Sequence, residues 1–267
     1  MKNKHGTVLI ISSSFGDGHV QVSKAIQDHF KQHRVEQIKV IDLLAEAHPY
    51  LNAVSRFVYL KSTSLVPSIY GWVYYRSQHF GYNGLFYKWL NLLGITRLKS
   101  YIQEIKPDLI INTFPFMAMG ELRKRTNLSI PTYTIITDFT LHQRWLHTEI
   151  DKYYVATEDL KDELIQSGIE ERKVKVTGIP VRDIFETTTI SNDIQKNFGF
   201  DQNKNYVLVM AGAYGVQQNI KTLCQKLLEI NEIEVLVICG KNEKLLKEME
   251  SQFKGKKKFI FLVLLTA

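Results

Sequence analysis

The 267-residue chain is 45% apolar and 23% charged, which suits a globular protein of one large or two ordinary domains. Its two cysteines, Cys224 and Cys239, form neither a CxxC pair nor a disulfide framework, which argues for a reducing compartment and against a structural zinc site. The N-terminal apolar run, Val8 to Ile11, is too short for the core of a signal peptide, no run approaches the roughly 20 residues of a membrane helix, and the net charge of +7 favours phosphate-bearing partners such as nucleotide, anionic lipid or nucleic acid.

Thr7–Ser12 (TVLIIS) reads as a buried strand that ends in a loop of small residues, Ser13–Gly18. The following helix would place Val22, Ala25, Ile26, His29 and Phe30 on one face. Strands are expected at Ile38–Asp42, Asp108–Thr113, Thr132–Thr137, Lys152–Ala156 and Val174–Thr177, with a helix at Glu158–Ser167. Strands separated by helical segments predict right-handed crossovers and a parallel sheet covered on both faces. Residues 1–185 are therefore expected to form a Rossmann-like domain, closed by Gly178-Ile179-Pro180, with Glu186–Asn192 as a polar linker.

A second α/β pattern occupies 186–267: strand Tyr206–Met210, loop Ala211–Gly215, helix Val216–Ile230, strand Glu234–Cys239, helix Glu243–Phe253 and strand Phe259–Leu265. Three strands with no closing helix predict an incomplete second Rossmann-like domain. The apolar run FIFLVLL would be an aggregation hazard if left exposed, so the chain is expected to be cut short.

One stretch, about residues 47–103, interrupts the alternation. It contains no Asp or Glu, while Arg56, Lys61, Arg76, Lys88, Arg97 and Lys99 lie among many aromatic rings, including Tyr59, Trp72, Tyr75 and Trp89. Rings and basic groups without acids suit the headgroup layer of an anionic bilayer. Arg56, Tyr59, Trp72, Tyr75, Arg76 and Trp89 are the membrane-binding candidates. A helical insertion whose aromatics fill a core is the competing reading. A nucleic-acid partner is not expected, because the basic groups lie among bulky rings and no binding motif occurs.

Three loops carry the chemistry. The first, Ser12 to His19, lets backbone N–H groups approach a ligand at a helix N-terminus. It fails the G-x-G-x-x-G pattern at Gln21, and no P-loop occurs. Asp42, at a strand end, would suit a ribose contact. His19 lies where a helix dipole disfavours imidazolium, so a neutral general base and a loop-capping histidine are both open. The second, Thr137–Trp145 (TDFTLHQRW), follows a strand end, where open α/β sheets bind ligands. There Asp138 either orients a catalytic group or caps a helix, and His142 and Trp145 could bound an acceptor pocket. The third, Ala211–Val216, would cradle a diphosphate, with Gly240 at the next strand end on the same sheet edge. No HExxH or D-x-D spacing occurs, so no cofactor and no bound metal are predicted.

Two Rossmann-like domains joined by a linker suggest the GT-B architecture. The ordered set SSSFGDGHVQVSKAI, Thr113-Phe114-Pro115, TDFTLHQRW, YYVATE, KVTGIP and AGAYGV resembles the processive diacylglycerol β-glucosyltransferases of Gram-positive bacteria. These belong with plant galactolipid synthases and the lipid-linked aminosugar transferase of peptidoglycan synthesis. The resemblance runs from residue 7 to about residue 260. It implies inverting transfer of glucose from UDP-glucose to 1,2-diacylglycerol, repeated on the product in processive members, to form the glycolipid that anchors lipoteichoic acid. It implies a peripheral enzyme at the cytoplasmic face of the cell membrane, which could self-associate as a homo-oligomer.

On that resemblance His19 and Asp138 are the catalytic candidates, with His19 as base. Phe15, Gly16, Gly18, Phe114, His142 and Trp145 would bind the acceptor. Gly212, Ala213, Gly215, Val216 and Gly240 would bind the donor. The family continues past the last strand with a Pro-Gly-Gly segment that grips the donor, whereas this chain ends LVLLTA. Two alternatives follow: a catalytically inactive membrane-binding remnant, or a transferase acting on another lipid-linked acceptor.

Overall fold

The computed structural model describes residues 6–14, 17–35, 37–65, 94–116, 118–187, 200–201, 203–211, 219–240, 242–255 and 259–262, with backbone only for Arg56, 59–65 and 259–262. They divide into two compact units, residues 1–58 with 71–187 and residues 59–70 with 188–267.

In the first unit, strands β1 (Thr7–Ser12), β2 (Gln37–Asp42), β3 (Leu109–Asn112), β4 (Thr132–Ile135), β5 (Lys152–Val155) and β6 (Val174–Val176) form one sheet. Its order is β2-β1-β3-β4-β5-β6, and the pairings are parallel. The run TVLIIS is apolar at successive positions because β1 is covered on both faces, as parallel strands are. Val8 and Ile10 pack with Val22 and Ile26 of helix α1 (Asp17–Gln32). Leu9 and Ile11 pack on the other face with Leu98, Tyr101 and Ile102 of α4 (Ile95–Ile105) and Met119 and Leu122 of α5 (Ala118–Arg125). Each such side chain contributes roughly 1.5–3 kcal/mol by leaving water. Beyond β4 a further core gathers Ile136, Trp145, Tyr153 and Val155 with Leu160 and Leu164 of α6 (Glu158–Gln166). Thr157 begins α6 by accepting from the Leu160 N–H, as an N-cap threonine does.

Three expectations change here. Helix α1 starts at Asp17, so Gly18 belongs to its first turn rather than to a loop. His29 is exposed, and Ser23 takes an inward position among Val22, Ala25 and Ile26. The acid-free stretch is divided: Leu98, Tyr101 and Ile102 at its end are buried in the sheet core. Arg97 lies over the Tyr101 ring and pairs with Glu46 at 3.8 Å. At the start of the stretch, the short helix α2 (Leu43–Ala47) leads into α3 (Pro49–Leu65). Tyr50, Val54, Phe57 and Val58, at helical spacing on α3, are all more than half exposed. Arg56 and Tyr59 lie on α3 with side chains outside the described residues, and Trp72, Tyr75, Arg76 and Trp89 lie outside them altogether. Among the described residues, no helix is long and apolar enough to cross a membrane.

The expected linker starts in a short helix, α7 (Ile184–Thr187), and residues 188–199 lie outside the described ones. The second unit is a parallel sheet of β7 (Asn205–Met210), β8 (Ile233–Ile238) and β9 (Phe259–Leu262), with β8 central. Helices α8 (Ile220–Leu228) and α9 (Glu243–Phe253) cover the face bearing Val209, Ala211, Val235 and Val237. Helix α8 is described from Ile220, later than the expected Val216. Cys224 and Cys239 are free and buried there, and burial with the neighbouring Cys239 pushes the Cys224 thiol up to about 11.

Candidate functional site

The strand order places β2 and β3 on opposite sides of β1, so the chain reverses its direction of winding between β1 and β3. Open α/β sheets bind ligands in the crevice outside the strand ends at that point. Here the carboxyl end of β1 supplies Ser12 and Ser13, β3 leads into Thr113, and the first turn of α1 supplies His19.

A chain of buried hydroxyls joins these elements. Ser23 Oγ donates to the His19 carbonyl at 2.8 Å, one helical turn back, and lies 2.9 Å from Ser12 Oγ and 2.8 Å from Thr113 Oγ1. The Thr113 N–H and hydroxyl both donate to the Ile11 carbonyl of β1, at 2.9 and 3.3 Å. The Thr113 carbonyl is therefore held in place, and it lies 2.8 Å from His19 Nδ1. A carbonyl oxygen only accepts, so Nδ1 must carry the proton. The neutral ring then presents an unprotonated Nε2, to which no hydrogen bond runs among the described residues. The neutral form is favoured: burial lowers the His19 pKa, against smaller upward contributions from the Thr113 hydrogen bond and the Asp138 charge. The sequence argument assigned this to the helix dipole, but desolvation is the larger cause.

Aromatic groups flank the imidazole. Phe114 meets it edge-on with ring centroids 4.9 Å apart, and Trp145 lies at 6.4 Å. Trp145 is anchored by Asp138, whose Oδ2 accepts from the indole N–H at 2.8 Å. Asp138 thus orients Trp145 rather than hydrogen-bonding to His19, and reaches the histidine through its charge. Nor does Asp138 cap the next turn. His142 does so, its Nδ1 accepting from the Arg144 N–H at 3.1 Å ahead of the short 3₁₀ turn Gln143–Trp145. His142 is 7% exposed, so it supports the loop from within instead of bounding an open pocket. Burial lowers its pKa, as does the Arg144 charge, while Asp138 raises it.

Behind Phe114 and Trp145 lies a cavity of ≈ 10 Å³, lined also by Asn112, Thr134, Arg144 and His147. That is room for about one water molecule. Asn112 is 3% exposed and its Oδ1 has no partner among the described residues, so a water there would supply the missing donor. Gly120 forms part of the wall because a Cβ would lie 2.2 Å from the His147 ring.

Gly18 is exposed and a Cβ there would meet nothing within 4 Å, so packing does not demand glycine at this position. Phe15 and Gly16 lie outside the described residues, as do Gly212, Ala213, Gly215 and Val216. Gly240 follows β8 with φ +62°, a left-handed conformation that glycine adopts freely. Asp42 has both carboxylate oxygens engaged. Oδ1 accepts from the Ala45 N–H at 3.0 Å to begin α2, and Oδ2 accepts from the Ser14 N–H and hydroxyl at 2.8 and 2.6 Å. It therefore braces the first loop, and the ribose reading is set aside. Among the described residues, no group of three or more His, Cys, Asp or Glu side chains is arranged to hold a metal ion.

The structure brings together His19, Phe114, Trp145 and Asp138 as expected candidates, and adds Ser12, Ser23, Thr113 and Thr137. The one signal for Ser23 was a hydroxyl among apolar residues on the inner face of α1, one turn after His19.

The fold resembles that of UDP-GlcNAc 2-epimerase from Neisseria meningitidis bound to UDP-GlcNAc, with TM-score 0.53, 16% identity, and coverage of 98% of this chain and 73% of that one. It also resembles a glycosyltransferase from Rickettsia africae, with TM-score 0.56, 12% identity, and coverage of 97% and 68%. At the sequence level the chain is 38% identical over 248 residues to the processive diacylglycerol β-glucosyltransferase of Bacillus cereus strain G9842, covering 93% of this chain and 64% of that protein. The protein of the same name from Bacillus cytotoxicus is 39% identical over 246 residues, covering 92% and 63%. The chain thus spans a little under two thirds of the length of these relatives. Residues 19–181, which hold His19, the TDFTLHQRW segment and the whole sheet beyond β1, match the profile of the monogalactosyldiacylglycerol (MGDG) synthase family, and the chain belongs to that family.

Proposed function

We propose that the chain carries the acceptor side of an inverting glycosyltransferase that moves glucose from UDP-glucose to the free hydroxyl of 1,2-diacylglycerol. The observation that carries this reading is the neutral His19 ring, protonated on Nδ1 and basic at Nε2, in the crevice between β1 and β3. Nε2 takes the proton of the acceptor hydroxyl as its oxygen bonds to the anomeric carbon from the face opposite the leaving group. The bond from that carbon to the diphosphate breaks, and UDP departs with the electron pair. Phe114 offers an apolar wall beside the base, backed by Trp145, which is 3% exposed and held in place by Asp138. In this reading residues 1–185 bind the acceptor and the membrane, and 186–267 begin the nucleotide-sugar domain. Gly240 and the loop containing Gly212, Ala213, Gly215 and Val216 lie on the donor side.

The exposed row Tyr50, Val54, Phe57 and Val58 on α3, within a stretch free of acids, supports peripheral binding to an anionic surface at the cytoplasmic face of the membrane. The names of the Bacillus relatives support diacylglycerol as the acceptor. The test is transfer of labelled glucose from UDP-glucose by the purified chain to anionic vesicles containing diacylglycerol, with a polyprenyl-linked sugar as rival acceptor. Labelled glucosyl-diacylglycerol is the expected product. Label on the polyprenyl acceptor alone would reassign the substrate, and flotation with vesicles without any product would leave a membrane-binding protein.

A further inference from the structure

The Thr137 hydroxyl lies 3.0 Å from the same His19 nitrogen that faces the Thr113 carbonyl. Resting on the transferase reading above, we propose that Thr137 is a positioning residue whose hydroxyl shares the Nδ1 proton of His19 and stabilises the imidazolium formed when Nε2 takes a proton.

The geometry gives the Nδ1–H two acceptors from two different strand ends. The Thr113 carbonyl, at 2.8 Å, follows β3, and the Thr137 hydroxyl, at 3.0 Å, follows β4. Two acceptors from neighbouring strand ends constrain the Nδ1–H more than one backbone carbonyl does alone. Hydrogen bonds from a charged donor are about twice as strong as those from a neutral one. The Thr137 contact therefore strengthens as His19 becomes charged, and an interaction that grows along the reaction raises turnover rather than affinity. In hydrolase triads a carboxylate takes this place beside the histidine. Here the nearby carboxylate, Asp138, is bonded to the Trp145 indole and acts on His19 through its field. Among the charged groups around the ring, Asp138 faces it from the segment after β4, and Asp17 lies two residues before it on α1. Thr137 is uncharged and contributes only by hydrogen bonding.

The experiment follows the His19 imidazole nitrogens by NMR through a pH titration of the ¹⁵N-histidine-labelled chain, with Thr137→Val and Thr137→Ser beside it. Valine keeps the shape and removes the oxygen, and serine keeps the oxygen. The neutral ring of the unaltered chain is expected to be protonated at Nδ1, and its titration midpoint should move down in Thr137→Val and return in Thr137→Ser. In the transfer assay kcat should fall roughly tenfold in Thr137→Val at unchanged KM, and recover in Thr137→Ser. An unmoved midpoint in Thr137→Val, or a Thr137→Ser chain that behaves like the valine variant, would overturn the proposal. The NMR reading needs no sugar transfer. Absence of transfer in the unaltered chain would therefore sink the transferase reading alone, and an unmoved midpoint the Thr137 assignment alone.

Discussion

In the first unit, β1 buries successive residues on both faces, with Leu9 and Ile10 both 0% exposed. In the second, β7 buries Val209, in one row with Ala211 just beyond it, and shows the other row, with Leu208 and Met210 51% and 54% exposed. Both strands come from the same strand–helix repeat, yet β1 is covered on both faces and β7, at the edge of its sheet, shows one row, while the central β8 again buries both, with Val235 and Val237 0% and Leu236 7% exposed. This matters at the strand ends. Layers on both sides of β1 and β3 exclude water from Ser12, Ser23 and Thr113, so their hydroxyls bond to one another and to the backbone. A histidine set against that network is partly desolvated, oriented and held neutral. The strand-end loop after β7 falls outside the described residues.

The contrast can be broken where the second unit is closed. Phe253, 1% exposed under β8, should lose about 3–5 kcal/mol of stability on change to alanine, measured by urea unfolding. A loss below about 1 kcal/mol would mean that the covered face of this sheet is not a packed core. In the first unit, Gly120→Ala drives a methyl into the His147 ring and should cost about 1–3 kcal/mol. A neutral result there would show that the wall beside Asn112 is loose.

Acid should separate the units more gently. All eight histidines precede residue 148, and burial lowers the pKa of His19, His142 and His147. Unfolded histidines bind protons from about pH 6.5 downward while these three still resist, so stability is present above that pH and is lost as pH falls toward the lowered native values. Hydrogen exchange, corrected for intrinsic rates, should show β1, β3 and β4 losing protection between pH 7 and 5.5 while β7 and β8 change less. Equal loss in both sheets would contradict the assignment. The smallest effect is expected at Met210→Ser on the uncovered row of β7, within about 0.5 kcal/mol.

The sheet was legible because parallel strands covered on both faces leave continuous apolar runs, as in TVLIIS and DLIINT. His19 and TDFTLHQRW were legible as residues that follow strand ends. What they do there was less so. Asp138 read as the orienter of a catalytic group or as a helix cap, but the Trp145 indole, seven residues on, captures it through the 3₁₀ turn. Asp42 read as a ribose contact because periodicity cannot reveal that Ser14 and Ala45 already claim its oxygens. Thr113 and Thr137 stand in segments that were legible, but their contacts with His19 were hidden for the same reason: they cross sequence separations that only the sheet order closes. The end of the acid-free stretch misled because Leu98, Tyr101 and Ile102 carry no charge whether they face a bilayer or a sheet.

The most direct test of the account compares glucose transfer to diacylglycerol in anionic vesicles by the unaltered chain and by His19→Ala, with flotation read in the same samples. The account predicts labelled glycolipid from the unaltered chain, roughly a hundredfold or more less from His19→Ala, and equal flotation of both. Near-equal transfer by the two proteins would remove His19 from the role of base, and no transfer by either would contradict the transferase reading itself.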